Sequence, residues 1–256
     1  MTMRLKTAQE IKILREGGKR HAEILFLLAR QVKPGISTMI LEEEALRLIR
    51  EGGDKPAHLG YKPRGAKRPF PAALCLSIND EIVHGIPNEN IRLINEGDIV
   101  SIDLSLEHDG LITDSAITVP CGVIDDESQR LLDITREALY AGIQAAKPGN
   151  TIGDIGEAIS DTVKPSGFSI ADDLMGHGVG FEIHEEPYVP NFDIGGKGEK
   201  LVPGLVIAIE PMVNIGSSAI KDSSDGYTIK TRDGSRSAHF EHTVAITEKG
   251  NIILTS

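Results

Sequence analysis

Ile99, Val100, Ser101, Ile102, Asp103, Leu104, Ser105 and Leu106 alternate apolar and polar with the period of a half-buried β-strand. His108-Asp109-Gly110 reads as a hairpin turn, and a second strand is predicted over 111–119. A two-residue loop at His108-Asp109 sets Asp103 directly opposite Asp114. A loop at Asp109-Gly110 sets Asp114 opposite Ser105, the same-face neighbour of Asp103. Either register leaves both carboxylates on one face. Residues 205–209 form a continuous apolar run, the mark of a buried strand, which ends at Glu210. Residues 237–246 are also strand-like and carry Glu241. Helical patterns are predicted near 8–32 and 127–146.

Each of those helices runs into a Lys-Pro-Gly triplet, at 33–35 and at 147–149. The first triplet is followed by Ser37, Glu43 and a helical pattern, the second by Thr151, Glu157 and another. Ser37 and Thr151 are predicted N-caps, since a hydroxyl there accepts from an orphan N–H. His84-Gly85-Ile86-Pro87 then parallels His184-Glu185-Glu186-Pro187. A glycine precedes an acid by six residues in both halves, Gly97 to Asp103 and Gly204 to Glu210. Asp114 and Glu241 are the second acid of each half. The order predicts an α+β fold: one domain over 1–256, with pseudo-twofold halves of about 1–122 and 123–256 and the site between them.

The composition is that of an ordinary soluble globular chain, 40% hydrophobic and 25% charged over 256 residues. No apolar run is long enough to span a membrane, and the first six residues lack the apolar stretch of a signal peptide. Cys75 and Cys121 are the two cysteines, in unlike contexts, which favours a reducing cytoplasm over a disulfide framework. A net charge of −11 argues against specific DNA binding. The local exception is Lys62, Arg64, Lys67 and Arg68, read first as a solvated loop and second as a contact for something anionic such as ribosomal RNA.

Any one of the four acids alone is best read as solvent-facing or paired with lysine. Four together, on matching strands of two related halves, point instead to metal, because carboxylates in buried strands need a partner. His177, in Gly176-His177-Gly178-Val179-Gly180, supplies an imidazole where glycines permit close backbone approach. Four carboxylates against two dications leave a neutral site of the kind that activates water in two-metal hydrolases. The oxygen-rich donor set with one imidazole suits manganese, iron, cobalt or zinc.

The ordered set His84, Asp103, Asp114, His177, His184, Glu210 and Glu241 resembles that of the methionine aminopeptidases. So do the phrases running from Asn79 to Pro87, Gly176 to Gly180, Ile209 to Asn214 and Phe240 to Thr243. The resemblance spans nearly the whole chain. It implies the pita-bread fold and two divalent metal ions, with Asp114 and Glu241 bridging them, Asp103 on one, and His177 and Glu210 on the other. It implies that Glu210 takes a proton from the attacking water and that His84 and His184 contact the substrate amide. It places His58, Tyr61, Phe70, Cys75, Ile183, Met212, Tyr227 and His239 around the methionine side chain. The substrate implied is the N-terminus of a nascent polypeptide with a small second residue. The short spacing from Glu210 to Glu241 leaves no room for a type II helical insert, so a bacterial-style type I enzyme, monomeric and cytoplasmic, is expected. Two departures stand out: Ile183 replaces an aromatic common in type I relatives, and the 62–69 segment is longer than in the shortest ones.

Two other readings compete. Aminopeptidase P and prolidase resemble the chain in the metal site but usually carry a large extra N-terminal domain, for which the 83 residues before His84 leave too little room. A non-catalytic pita-bread protein is the other, and such proteins typically lose ligands that this sequence keeps.

Overall fold

The computed structural model describes residues 3–63, 65–195 and 197–256; Arg64 of the basic cluster lies outside them. In the first half two helices, α1 (Ala8–Ala29) and α2 (Thr38–Glu51), precede strands β1 (Leu74–Ile78), β2 (Glu81–Val83), β3 (Ile99–His108) and β4 (Leu111–Pro120). In the second half α3 (Asp126–Ala145) and α4 (Ile152–Val163) precede β5 (Met175–Gly178), β6 (Glu185–Pro190), β7 (Val206–Ile209), β8 (Met212–Asn214), β9 (Ser237–His239), β10 (His242–Thr247) and β11 (Gly250–Ile253). Mixed helices and antiparallel sheets make this the α+β, pita-bread class expected. Ser37 caps α2 by accepting from Met39 N–H, and Thr7 and Glu10 form a capping box on α1.

The helices rest on the sheets through one face of each strand. Val100, Ile102, Leu104 and Leu106 of β3 share an apolar cluster with Leu25 and Leu28 of α1 and Leu41 and Ile49 of α2. Ile207 and Ile209 of β7 and Val244 and Ile246 of β10 do the same with Leu132 and Leu139 of α3 and Ile155 and Ile159 of α4. Each such fully buried side chain stabilises the fold by roughly 1.5–3 kcal/mol. Because strand residues alternate, these two cores leave Ser101, Asp103 and Ser105 on the opposite face, toward the middle of the molecule.

The hairpin resolves to the second register: His108 pairs with Leu111, Ser105 with Asp114, and Asp103 with Ala116. Asp109 and Gly110 carry φ of 47° and 79°, the two positive values that a tight two-residue hairpin loop needs. A loop at His108-Asp109 would place histidine in that left-handed conformation. The 237–246 segment, expected as one strand, is instead broken at Phe240-Glu241. β9 pairs with β8, whereas β10 pairs with β7. Glu210-Pro211 interrupts the partner strands at the same level, so both glutamates sit where a strand changes sheet.

The internal correspondence extends to the backbone. Gly35 and Gly149 have φ of 85° and 92°, and Gly97 and Gly204 have 88° and 92°. Ser37 bridges Leu93 as Thr151 bridges Lys200. The halves meet along β4 and the start of β10. Glu241 N–H donates to Ala116 O at 2.8 Å, and Thr243 Oγ1 accepts from Asp114 N–H at 2.8 Å while donating to Asp114 O at 2.7 Å. A twofold that exchanges Asp114 with Glu241 also exchanges Ala116 with Thr243, so the two links join matching positions, one through the backbone and the other through the Thr243 hydroxyl.

Beneath this seam His21 is fully buried, with Nδ1 3.1 Å from Thr113 Oγ1. Burial, and then the neighbouring His242, pushes its pKa from 6.5 down to about 3. As pH falls below 6.5 the unfolded chain takes up this proton while the folded chain does not, so stability drops by about 1.4 kcal/mol per pH unit through this group. His21→Asn is expected to flatten the acid limb of the stability curve by that increment in denaturant titrations at stepped pH; parallel limbs would refute the assignment. Thr243→Val strips both seam bonds from Asp114 and is expected to cost about 2–4 kcal/mol of unfolding free energy. An unchanged denaturation midpoint would mean that the seam does not hold the halves.

Candidate metal centre and substrate cleft

Asp103, Asp114, Glu210 and Glu241 are all buried, and the structure brings them together with His177. Asp103 and Asp114 come from the inner face of the β3–β4 hairpin, Glu210 and Glu241 from the two strand breaks of the second half. His177 lies on β5 between glycines that its neighbours require. A Cβ on Gly176 would stand 2.3 Å from Ala208 O, and one on Gly178 2.5 Å from Glu186 O. The His177 Nδ1 proton is held by Gly178 O at 2.9 Å, which leaves Nε2 facing Glu210 Oε1 at 3.3 Å and Asp114 Oδ2 at 3.9 Å. One ligand atom each from Asp114, His177 and Glu241 lies within 4.8 Å of the others.

The electrostatics are those of a cluster short of positive charge. Burial raises Asp103 and Glu241 well above the usual carboxylate range, and the charges of neighbouring acids push in the same direction. Burial also lifts Asp114, to about 6, against the pull of His177. Glu210 goes the other way: burial opposes its ionisation, but the imidazoles of His177 and His239 set against it overcome this and bring it to about 2. Asp103 Oδ1, Asp114 Oδ1 and Glu241 Oε1 are buried with no hydrogen-bond partner. Buried oxygens without partners are costly, and three from one cluster fit a site built to coordinate divalent cations.

A cleft of about 290 Å³ opens beside the cluster. Of the residues expected around the methionine side chain, His58, Tyr61, Phe70, Cys75 and Tyr227 line it, together with His84 and His184. Phe70 and Tyr227 meet edge to face at 5.1 Å. Ile183 and Met212 are not brought to that lining. Ile183 packs in an apolar cluster with Leu14, Ile112 and Val179, and Met212 in one with Ile82, Val83 and Ala171. His239 is set against the carboxylates, with Nε2 3.5 Å from Glu210 Oε2 and 4.0 Å from Glu241 Oε2. His84 holds a left-handed backbone, φ 59°, an outlier of the kind concentrated at functional sites. Gly85 follows because a Cβ there would meet Leu76 O at 2.2 Å. Burial lowers the pKa of His84 and takes His184 down to about 3, so both rings are neutral.

Sequence reasoning missed several contributors. Ile229, Asp222 and Gly226 reach the cleft from a hairpin with no local chemical signature. Ser105 Oγ holds His58 Nε2 at 2.7 Å, and Tyr61 OH lies 2.8 Å from His184 Nδ1. Lys6 Nζ forms a buried ion pair with Glu185 Oε2 at 2.7 Å, while Glu185 Oε1 accepts from Phe181 N–H and Glu182 N–H. The loop that carries His184 is thereby tied to the N-terminal segment, a contact across 179 residues that spacing could not reveal.

Residues 12–248 match the model of metallopeptidase family M24. A methionine aminopeptidase of Aquifex aeolicus is 50% identical over 100% of this chain and 99% of its own length. The crystal structure of a methionine aminopeptidase from Thermotoga maritima superposes with a TM-score of 0.94 at 40% identity, covering both chains fully. A prolidase from Pyrococcus furiosus shares the fold alone, at 24% identity and a TM-score of 0.74, with 98% of this chain and 65% of that one covered. The chain belongs to metallopeptidase family M24 and, within it, to the methionine aminopeptidases.

Proposed function

We propose that this protein removes the initiator methionine from new polypeptides by hydrolysing the first peptide bond when the second residue is small. The observation that carries the reading is the buried four-carboxylate cluster with unpartnered oxygens beside an apolar cleft, in a chain of this family. Asp103, Asp114, His177, Glu210 and Glu241 would hold two divalent cations, of cobalt, manganese, iron or zinc. When bound, the cations supply Lewis acidity and a source of nucleophilic water at neutral pH.

The protein's own groups do the rest. Glu210, kept ionised by His177 and His239, accepts the proton of the attacking water. With the Tyr61 hydroxyl donating to His184 Nδ1, Nε2–H is left to donate to the scissile carbonyl. Neutral His84, which lines the same cleft, serves the amide as well. Phe70, Tyr227, His58 and Cys75 enclose the thioether, a soft group suited to such walls.

We take residues 1–256 as one catalytic unit, with the two halves meeting near residue 122, and as a cytoplasmic monomer. Among the described residues no helix is long and apolar enough to cross a membrane, and both cysteines are free and buried. A ribosome contact through the basic loop is supported by its place at the cleft, which Pro63 and Ala66 line. Among the described residues of the cluster Arg68 pairs with Glu89, whereas Lys62 and Lys67 are exposed.

The deciding experiment is a peptide panel that varies the first two residues, with free and acetylated termini. Free Met-Ala-Ser is expected to be cleaved, norleucine to be tolerated as an isostere, and acetylated or charged first residues to fail. Faster release of residues preceding proline would favour the aminopeptidase P reading instead. Asp114→Asn and Glu241→Gln are each expected to lose at least one metal and nearly all turnover, yet to melt no lower than wild type in chelator, because each removes a buried repelling charge. Metal should raise the wild-type melting temperature with concentration, and raise that of the variants less. His84→Ala should keep its metal and lose ~10²–10⁴-fold in kcat; metal loss matching that of the Asp114 variant would make His84 a ligand.

A further inference from the structure

The cleft contains a second set of metal-binding donors. One ligand atom each from His58, Cys75 and Asp103 lies within 4.8 Å of the others, and all three residues are buried. Backbone pairing explains the meeting. Cys75 of β1 sits opposite Asp103 of β3, and Ala57 N–H donates to Ser105 O at 2.9 Å, which brings His58 to the same edge of β3.

Two distances in this group match the geometry of a metal site. Cys75 Sγ stands 3.8 Å from His58 Nδ1. A sulfur and a nitrogen on one tetrahedral zinc, at about 2.3 and 2.0 Å, stand roughly 3.5 Å apart. The pair is therefore spaced almost as two ligands of a single ion. His58 Nε2, the nitrogen pointing away, is held by Ser105 Oγ at 2.7 Å, the outer hydrogen bond that fixes the ring of a metal-bound histidine. Asp103 adds Oδ1, buried and without a partner.

We propose that His58 Nδ1, Cys75 Sγ and Asp103 form a third cation site, selective for thiophilic divalent ions such as zinc and cadmium. A thiolate and an imidazole favour such ions over manganese or magnesium, which the carboxylate cluster accommodates. On binding, the thiol gives its proton to water, the S–H electron pair stays on sulfur, and the sulfur–metal bond forms. Asp103 is common to both sites, and the ion occupies the wall of the cleft. Thiophilic ions in excess therefore inhibit where manganese does not. This inhibitory consequence rests on the aminopeptidase reading; the binding itself does not.

The test titrates manganese-loaded protein with Cd²⁺ and follows thiolate-to-cadmium charge-transfer absorption, proton release, and reaction of Cys75 with a thiol reagent. The expected result is one absorption step saturating at one cadmium per chain, with one proton released and the thiol protected. Cys75→Ser should abolish the absorption, and His58→Ala should raise the cadmium midpoint by at least about tenfold. Manganese content and a cooperative melt verify that each variant is folded; if Cys75→Ser is not, thiol protection in the wild type and the His58→Ala shift decide the matter. Cadmium uptake without a thiolate band, a band that persists in Cys75→Ser, or equal midpoints for wild type and His58→Ala would overturn the site. A band with no loss of methionyl-peptide turnover would overturn its inhibitory role. Absence of turnover on every methionyl peptide, with the band intact, would instead defeat the aminopeptidase reading and leave the site standing.

Discussion

Mutual repulsion among four buried carboxylates is the constraint around which this molecule is arranged. Asp103, Asp114, Glu210 and Glu241 are buried together, and three of their oxygens have no hydrogen-bond partner. Left to themselves such groups would separate or protonate. They are held because each is attached to an element anchored elsewhere. β3 and β7 are fastened to paired helices by two apolar clusters, and β4 and β10 are stitched to each other.

The imidazoles divide the work unequally. His177 and His239 lie against Glu210 and keep it charged, whereas the imidazole near Asp103, that of His58, is held neutral by burial and gives it no such support. One side of the cluster is thus compensated by the protein itself, and the other depends on what binds. His84 and His184 are kept neutral by burial and stay out of the charge balance, which leaves them free to hydrogen-bond.

Much of the scaffold was legible in the sequence because its signals are local. Alternation over 99–106, the Lys-Pro-Gly triplets and the glycine-to-acid spacing all depend on backbone geometry within a few residues. The register of the first hairpin was not legible, since two loops a residue apart both read as turns, and only the positive φ of Asp109 and Gly110 separates them. The break at Phe240-Glu241 escaped for a different reason. Its residues have strand character, but their partners change from β8 to β7, and a change of partner leaves no trace in periodicity. The carboxylates were found as a set because they recur in matched halves. The Ser105–His58 bond, Ile229 and the Lys6–Glu185 pair recur in nothing and were visible only in three dimensions.

The stitched seam also sets when activity can begin during synthesis. Asp114 is secured by Thr243, Thr243 N–H donates to Thr255 Oγ1, and Gly18 of the first helix lies so close to Leu254 O that a Cβ would stand 2.2 Å away. The ligands of the first half therefore cannot be fixed until residues translated more than a hundred codons later have left the ribosome.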